Sequence, residues 1–181
     1  FGGYAASLYG KYMPKNEREN IKTIPDFDIL SEDALTCATI LKEQLVYEGL
    51  NGVKIIKHKP IGEYVDYHYQ IIVGEDTIAF IFNTNACHSY NIIYINEQRI
   101  KVATIDTLLS FYLIFIYGKR NYLDVNRLLC ISEYLFKVQL KNRLEQRGLL
   151  RRFTTSCIGN QPTLEDIKAN KSKIIELVKL G

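Results

Sequence analysis

The sequence predicts an α+β protein in which a mixed sheet with helices is followed by a helical C-terminal region. Three observations support this fold class: a short strand over Asp26–Leu30 lies between two predicted helices, β-branched and aromatic segments fill residues 53–102, and helical spacing returns over 103–181. Blocks of strands followed by blocks of helices are typical of α+β proteins.

The N-terminal elements alternate between helix and strand. The pattern predicts a short helix over Tyr4–Met13, closed by Pro14. After the strand, Ser31 is suited to cap a helix with acidic residues in its first turn, and Gly49 is suited to end it. We therefore expect a helix, a strand and a second helix within the first fifty residues.

The middle of the chain is predicted to form two β-hairpins. Gly74-Glu75-Asp76 and Asn96-Glu97 are turn sequences between segments rich in β-branched and aromatic residues. The predicted strands are Val53–Lys57, Tyr64–Val73, Thr77–Asn83, Ile92–Ile95 and Arg99–Val102.

Three helices are predicted in the C-terminal part. An apolar stretch covers Leu108–Tyr117, helical spacing covers Asp124–Glu145, and Thr163 caps an amphipathic helix that reaches Leu180. Because the pattern changes near Val102, we divide the chain into regions 1–102 and 103–181.

Composition and charge fit a soluble globular protein. Hydrophobic residues make up 47% and charged residues 24% of the 181 residues, and the net charge of +3 does not by itself indicate nucleic-acid binding. No apolar run reaches the roughly 20 residues that a membrane helix needs, so we expect no membrane association. The chain begins at Phe1 without a methionine, which favours a fragment that lacks upstream residues.

The four cysteines are widely spaced and form no Cys-x-x-Cys motif. This spacing argues against a zinc site and does not imply a disulfide framework in a chain of this size. We therefore expect reduced thiols and an intracellular location.

Two paired motifs near the N-terminus suggest phosphoryl chemistry. Side chains alternate across a strand, so Asp26 and Asp28 should point the same way while Phe27 and Ile29 enter the core. Paired carboxylates suit Mg²⁺ or Mn²⁺. Gly2-Gly3 precedes a helix, and glycines let the backbone approach a phosphate at a helix N-terminus. The simpler interpretation of the two aspartates is a solvated strand end.

The Gly-Gly element followed by Asp-x-Asp resembles the polymerase-beta-like nucleotidyltransferase superfamily. The whole chain resembles more specifically the poly(A) polymerases of large DNA viruses that infect amoebae. The segments that carry this closer resemblance are Cys87-His88-Ser89-Tyr90-Asn91, Thr107-Leu108-Leu109 and the run from Cys157 to Asp166.

The resemblance implies a nucleotidyltransferase-type mixed sheet in residues 1–102 and a helical nucleotide-binding, RNA-binding or dimerisation region in 103–181. It also implies transfer of AMP from ATP to an RNA 3′ end, with Asp26 and Asp28 as metal ligands and Gly2 and Gly3 in the nucleotide pocket. Homodimerisation and a host-cytoplasm or virion location are further implications.

Members of the superfamily usually carry a third carboxylate on a neighbouring strand. The strand after Gly74 reads Thr77-Ile78-Ala79-Phe80-Ile81-Phe82 and has no acid at its centre. Asp66 on the preceding strand is our candidate, and Glu63, Glu75 and Asp76 are poorer ones because they lie in predicted turns.

Further candidates for nucleotide contacts are Ser7, Lys119 and Arg120. Ser7 lies one helical turn after the glycines and could donate to a phosphate, or it could be a small residue packed against the strand. Lys119 and Arg120 could meet a triphosphate, with Tyr122 stacking on a base. The simpler interpretation is that these cations complement a helix C-terminus.

Arg147, Arg151 and Arg152 are the candidates for RNA contacts, because binding a phosphate backbone needs several cations along one surface. A subunit interface is the alternative. His88 and Cys87 are better interpreted as structural residues than as catalytic groups.

Two other functions stay open. One is a noncatalytic nucleotidyltransferase-fold module that binds RNA or assembles a dimer, which the missing central carboxylate favours. The other keeps the chemistry but uses a different acceptor, since a fold and a metal site do not specify the acceptor.

Overall fold

The computed structural model describes residues 1–13, 26–62, 64–118, 124–161 and 163–180. Within these ranges it contains five α-helices and seven β-strands, so the predicted α+β class is confirmed. The helices are α1 (Gly2–Leu8), α2 (Ala34–Tyr47), α3 (Ile105–Gly118), α4 (Val125–Lys141) and α5 (Leu164–Leu180). The strands are β1 (Phe27–Ser31), β2 (Val53–His58), β3 (His68–Val73), β4 (Asp76–Asn83), β5 (His88–Ile95), β6 (Gln98–Ala103) and β7 (Cys157–Ile158).

A four-stranded mixed sheet carries the Asp-x-Asp motif. Its strand order is β1-β4-β3-β2, with β1 parallel to β4 and the other pairs antiparallel. The register sets Asp28 beside Phe80 of β4, and Phe80 beside Gln70 of β3. Because side chains alternate along each strand, these three residues belong to one face of the sheet.

The two faces of this sheet pack against different helices. On one face, Ala34 and Ala38 of α2 pack with Ile71 and Ile81, all fully buried. The cap of α2 is Asp33, whose carboxylate accepts from the Thr36 N–H at 2.9 Å, and not Ser31 as predicted. The Ser31 hydroxyl instead bonds the main chain of Asp33, two residues along.

The other face packs against the C-terminal helices. Phe82 lies beside Phe111 and Phe115 of α3, and the same hydrophobic cluster includes Ala6 of α1 and Leu135 of α4. This cluster therefore contains residues from both sides of the predicted boundary at residue 102. The division into two functional regions stays a prediction.

A second, three-stranded sheet has the order β6-β5-β7. Asn96 and Glu97 adopt φ values of 48° and 66° in the turn between β5 and β6, as a tight hairpin requires. Strand β7 lies inside the segment 154–161, where the sequence pattern predicts no strand. Two residues are too few to give a periodic signal, so the sequence does not reveal this strand.

Pairing of β7 with β5 brings two cysteines together. Cys87 and Cys157 form a disulfide with Cα atoms 5.3 Å apart, so the prediction that all four thiols are reduced is wrong for this pair. The two residues are separated by 70 positions and become neighbours only through the pairing of Ser89 with Cys157. Among the described residues, Cys37 and Cys130 form no disulfide.

We expect the double substitution C87S/C157S to lower the free energy of unfolding by about 2–4 kcal/mol, because a cross-link across so long a loop restricts the unfolded chain. Urea unfolding with and without a reducing agent measures this. The exposed Cys130→Ser is the matched control and should change stability by less than about 0.5 kcal/mol. If adding the reducing agent leaves the unfolding midpoint of the unsubstituted protein unchanged, the prediction is wrong.

None of the helices that the structure describes is both long enough and apolar enough to cross a bilayer.

Candidate active site

The Asp28 carboxylate lies against the N-terminus of α1. The Gly3 main-chain N–H hydrogen-bonds this carboxylate. Gly2 has φ +67°, and a Cβ built at this position would overlap the Asp28 side chain. The two glycines thus contact the carboxylate itself, which is a role that the sequence did not indicate.

Asp26 and Asp28 line the same cavity of about 190 Å³. Asp26 lies immediately before β1, and Asp28 is the second residue of that strand. Phe27 does not enter the core as predicted, since its side chain is 50% exposed and its ring lies 5.4 Å from that of Tyr4. It is the first residue of the strand, and α2 covers this face of β1 only from Ile29 onward.

Burial governs the electrostatics of the pair. Burial, reinforced by the nearby charge of Asp26, raises the pKa of Asp28 to about 7. Burial also raises the pKa of Asp26, against a lowering by the Arg127 charge. Two carboxylates that resist ionisation side by side form a site that a cation would stabilise.

These shifts predict a pH dependence of stability in the absence of divalent metal. The pKa of Asp28 is about 7 in the folded protein and 3.8 for an ordinary aspartate, so between these values the folded state holds a proton that the unfolded state has lost. The free energy of unfolding should therefore fall as pH rises from about 4 to about 7. Urea titrations in chelator across this range test this, and Asp28→Asn should flatten the slope. An unchanged slope in Asp28→Asn would assign the dependence to another group.

Two further residues in this cavity were not found from the sequence. Arg127 lies in the first turn of α4, and its Nη2 is 3.7 Å from the position of a Cβ on Gly3. Tyr112 of α3 also lines the cavity, and burial followed by the charge of Asp28 raises the pKa of its phenol. Within the described part of the chain, the buried Tyr112 hydroxyl has no hydrogen-bond partner.

A third acid, Asp124, lines the same cavity from the start of α4. Its carboxylate caps that helix by accepting from the Arg127 N–H at 3.0 Å. No cluster of three or more His, Cys, Asp or Glu side chains arranged to hold a metal occurs among the described residues.

The structure does not bring Asp66 to the pair. Gln70, not an acid, is level with Asp28 across β4, and Asp66 precedes Gln70 by four positions. Strand β3 begins at His68, which pairs with Phe82, so Asp66 lies beyond the end of the strand and away from the level of Asp28. The exposed Asp66 carboxylate accepts from the Tyr67 N–H at 2.7 Å.

The remaining candidates lie in other settings. The Ser7 hydroxyl donates to the Tyr4 carbonyl within α1 at 2.7 Å. Arg152 forms an ion pair with Asp106 at 3.0 Å, Arg151 donates to the Gln146 carbonyl, and Arg147 lies 4.0 Å from Glu145. Lys119 and Arg120, like Tyr122, lie outside the described residues. The RNA and nucleotide roles of these residues stay predictions.

Comparison with solved structures identifies a similar fold. The crystal structure of the Megavirus polyadenylate synthase superposes with a TM-score of 0.69 at 14% sequence identity, over 99% of this chain and 38% of that one. The chain thus spans well under half the length of that protein. At this identity the likeness establishes the fold alone, and the predicted α+β fold with a mixed sheet is confirmed. No protein-family model and no curated protein matches the sequence.

Proposed function

We propose that the chain is the catalytic region of a template-independent RNA nucleotidyltransferase that adds AMP from ATP to RNA 3′ ends. The observation that carries this proposal is the position of Asp28, held at the N-terminus of α1 and facing the same cavity as Asp26 and Arg127. A nucleotidyltransferase requires carboxylates for metal and a cationic contact for phosphate in one cleft. The fold shared with the Megavirus polyadenylate synthase supports the choice of acceptor and nucleotide.

Asp26 and Asp28 would hold the divalent metal. The donor set fits, because Mg²⁺ takes oxygen ligands and is commonly bound by one or two carboxylates together with substrate phosphates. The raised pKa of both carboxyl groups supports the same assignment, since a bound cation would relieve the cost of their buried charges. When bound, Mg²⁺ or Mn²⁺ would neutralise charge that develops on the transferred phosphoryl group.

Arg127 and Tyr112 are suited to the nucleotide phosphates. A guanidinium offers several donors in one plane, and the Tyr112 hydroxyl is a buried donor facing the same cavity. Both would stabilise negative charge on the phosphates.

Arg127→Met should raise the KM for ATP by about 10-fold or more, because the loss of one charge-assisted hydrogen bond costs about 1.5–3 kcal/mol. Steady-state kinetics with ATP varied at saturating RNA measure this. Arg99→Met, on the exposed side of β6, is the matched control. Equal KM values for Arg127→Met and the unsubstituted protein would remove Arg127 from the phosphate site.

One observation favours the noncatalytic alternative. Phe80 stands beside Asp28 on the neighbouring strand β4, and Gln70 is level with it on β3, so neither strand offers an acid at the level of Asp28. Such a protein would keep the fold and bind RNA without transferring nucleotides. A transferase acting on another acceptor is the third possibility.

The deciding experiment is incorporation of labelled ATP onto a short RNA primer with Mg²⁺ or Mn²⁺, with CTP, GTP and UTP in parallel. ATP-selective extension supports the polymerase. Extension of a tRNA but not of the short primer would indicate that the enzyme uses a different acceptor. Absence of extension by folded protein that still binds RNA would favour the noncatalytic module.

A further inference from the structure

A second cavity, of about 460 Å³, adjoins Asp28 on the sheet face opposite α2. It extends from Asp28 on β1 across β4 and β3 to β2. Its lining includes Phe80 of β4, Gln70 of β3 and His58 of β2, which the strand register assigns to the same face. This volume falls within the range of pockets that bind small organic ligands.

Aromatic rings form one wall of this cavity. The rings of His58 and His68 stack with centroids 5.1 Å apart and planes 12° apart, and His68 stacks on Phe82 at 4.9 Å and 10°. Phe80 contributes a partly exposed ring beside them. Flat aromatic surfaces on a sheet are a common support for unpaired nucleobases.

A polar edge borders the rings. His58 Nε2 lies 2.8 Å from Gln70 Oε1, and Gln70 Nε2 donates to the Thr77 hydroxyl at 2.7 Å. After these bonds the Gln70 amide retains one hydrogen and one lone pair, and the Thr77 hydroxyl retains its own proton. The described contacts use none of these remaining groups. They can pair with the edge of a base.

The charge of the cavity excludes phosphate as the main ligand. Among the described residues, neither lysine nor arginine lines it, and Asp28 adds a carboxylate at one end. A polyanion would therefore meet the Asp28 charge and, from the described residues, no permanently charged cation. An uncharged, flat group that forms hydrogen bonds would fit both the aromatic wall and the polar edge.

We propose that this cavity binds the terminal nucleobase of the RNA acceptor, with the ring stacked against the Phe80 wall and its edge bonded to Gln70 and Thr77. This assignment rests on the proposed function and names its acceptor site. Because Asp28 and Phe80 are neighbours across two paired strands, a base held here places its ribose near the carboxylate pair. The cavity beside Arg127 is left for the nucleotide.

Histidine NMR signals offer a direct test, because the chain has three histidines and only His58 and His68 line this cavity. His88 borders a different cavity and serves as an internal control. The probe is the trinucleotide ApApA with free hydroxyl ends, titrated without metal, and inorganic triphosphate is the comparison. His58→Asn and His68→Asn assign the signals.

We expect ApApA to shift the His58 and His68 signals saturably while His88 stays in place and triphosphate has little effect. Gln70→Leu should weaken this binding about 10-fold and raise the KM for RNA without changing the KM for ATP. Tyr94→Ala, an exposed aromatic on β5, is the matched control.

Equal shifts with triphosphate, or no shift of His58 and His68 with ApApA, would overturn the assignment. Failure of the two proposals can be told apart. Saturable binding without nucleotide incorporation would retain the base site and reject the polymerase. Incorporation with an unchanged KM for RNA in Gln70→Leu would retain the polymerase and reject the base site.

Discussion

Asp28→Asn is expected to reduce nucleotide incorporation by at least about 100-fold, the typical cost of removing one preorganised electrostatic contact in an active site. The substitution keeps the shape of the side chain and removes the charge that a metal requires. Because burial raises the pKa of Asp28 to about 7, the same change should leave the folded state as stable or more stable near neutral pH.

Single-turnover incorporation with saturating ATP and RNA measures this loss, and urea unfolding measures the stability. Lower incorporation together with unchanged or higher stability would show that Asp28 has a catalytic role and not a structural one. Asp66→Asn is the informative companion, since Asp66 is exposed and four positions away from the level of Asp28. Near-normal activity is expected for Asp66→Asn. Comparable losses in both variants would restore Asp66 as the third carboxylate, and full activity in Asp28→Asn would exclude Asp28 from catalysis.

Gly2→Ala is expected to reduce nucleotide incorporation about as much as Asp28→Asn does. In this variant the free energy of unfolding should fall as well. A Cβ at residue 2 overlaps the Asp28 side chain, and φ +67° disfavours an L side chain by about 1–2 kcal/mol. The carboxylate must then move or α1 must shift. Either change separates Asp28 from the Gly3 N–H.

Gly3→Ala is the matched control for Gly2→Ala. The nearest atom to its Cβ would be Arg127 Nη2 at 3.7 Å, an ordinary contact, and alanine is the better helix former. We expect stability to be unchanged or slightly higher and activity to be within a few-fold of normal. Thermal unfolding and primer extension on both variants make the comparison. Equal behaviour of Gly2→Ala and Gly3→Ala would mean that the close approach to Asp28 has no role.

The sequence predicted the elements that depend on local pattern. The spacing of Gly2-Gly3 and Asp26-x-Asp28 pointed to one site, and the structure brings Asp26, Asp28 and Gly3 to one cavity. Hairpins at Gly74 and Asn96 were found because turn residues act locally. The long helices were found from apolar spacing, but α3 begins at Ile105 rather than Leu108 and α4 ends at Lys141 rather than Glu145.

Residues that meet only through tertiary structure escaped prediction. Tyr112 lies within an apolar stretch and looks like any core residue of α3, and Arg127 looks like a solvated cation on α4. One signal was present: Asp124 and Arg127 stand three apart at a helix start, where the acid caps the helix and the cation stays nearby. The pairing of Cys87 with Cys157 left no local trace, because the partner strand is two residues long.

The placement of β1 has a consequence for the order in which the molecule assembles. This strand forms the end of its sheet and pairs in parallel with β4, about fifty positions later, whereas β3 and β4 are joined by a tight turn. Closing the longer loop costs more chain entropy, so the β3–β4 hairpin can form first and serve as the template on which β1 docks. The carboxylate pair would then be completed late, after the aromatic face beside it already exists.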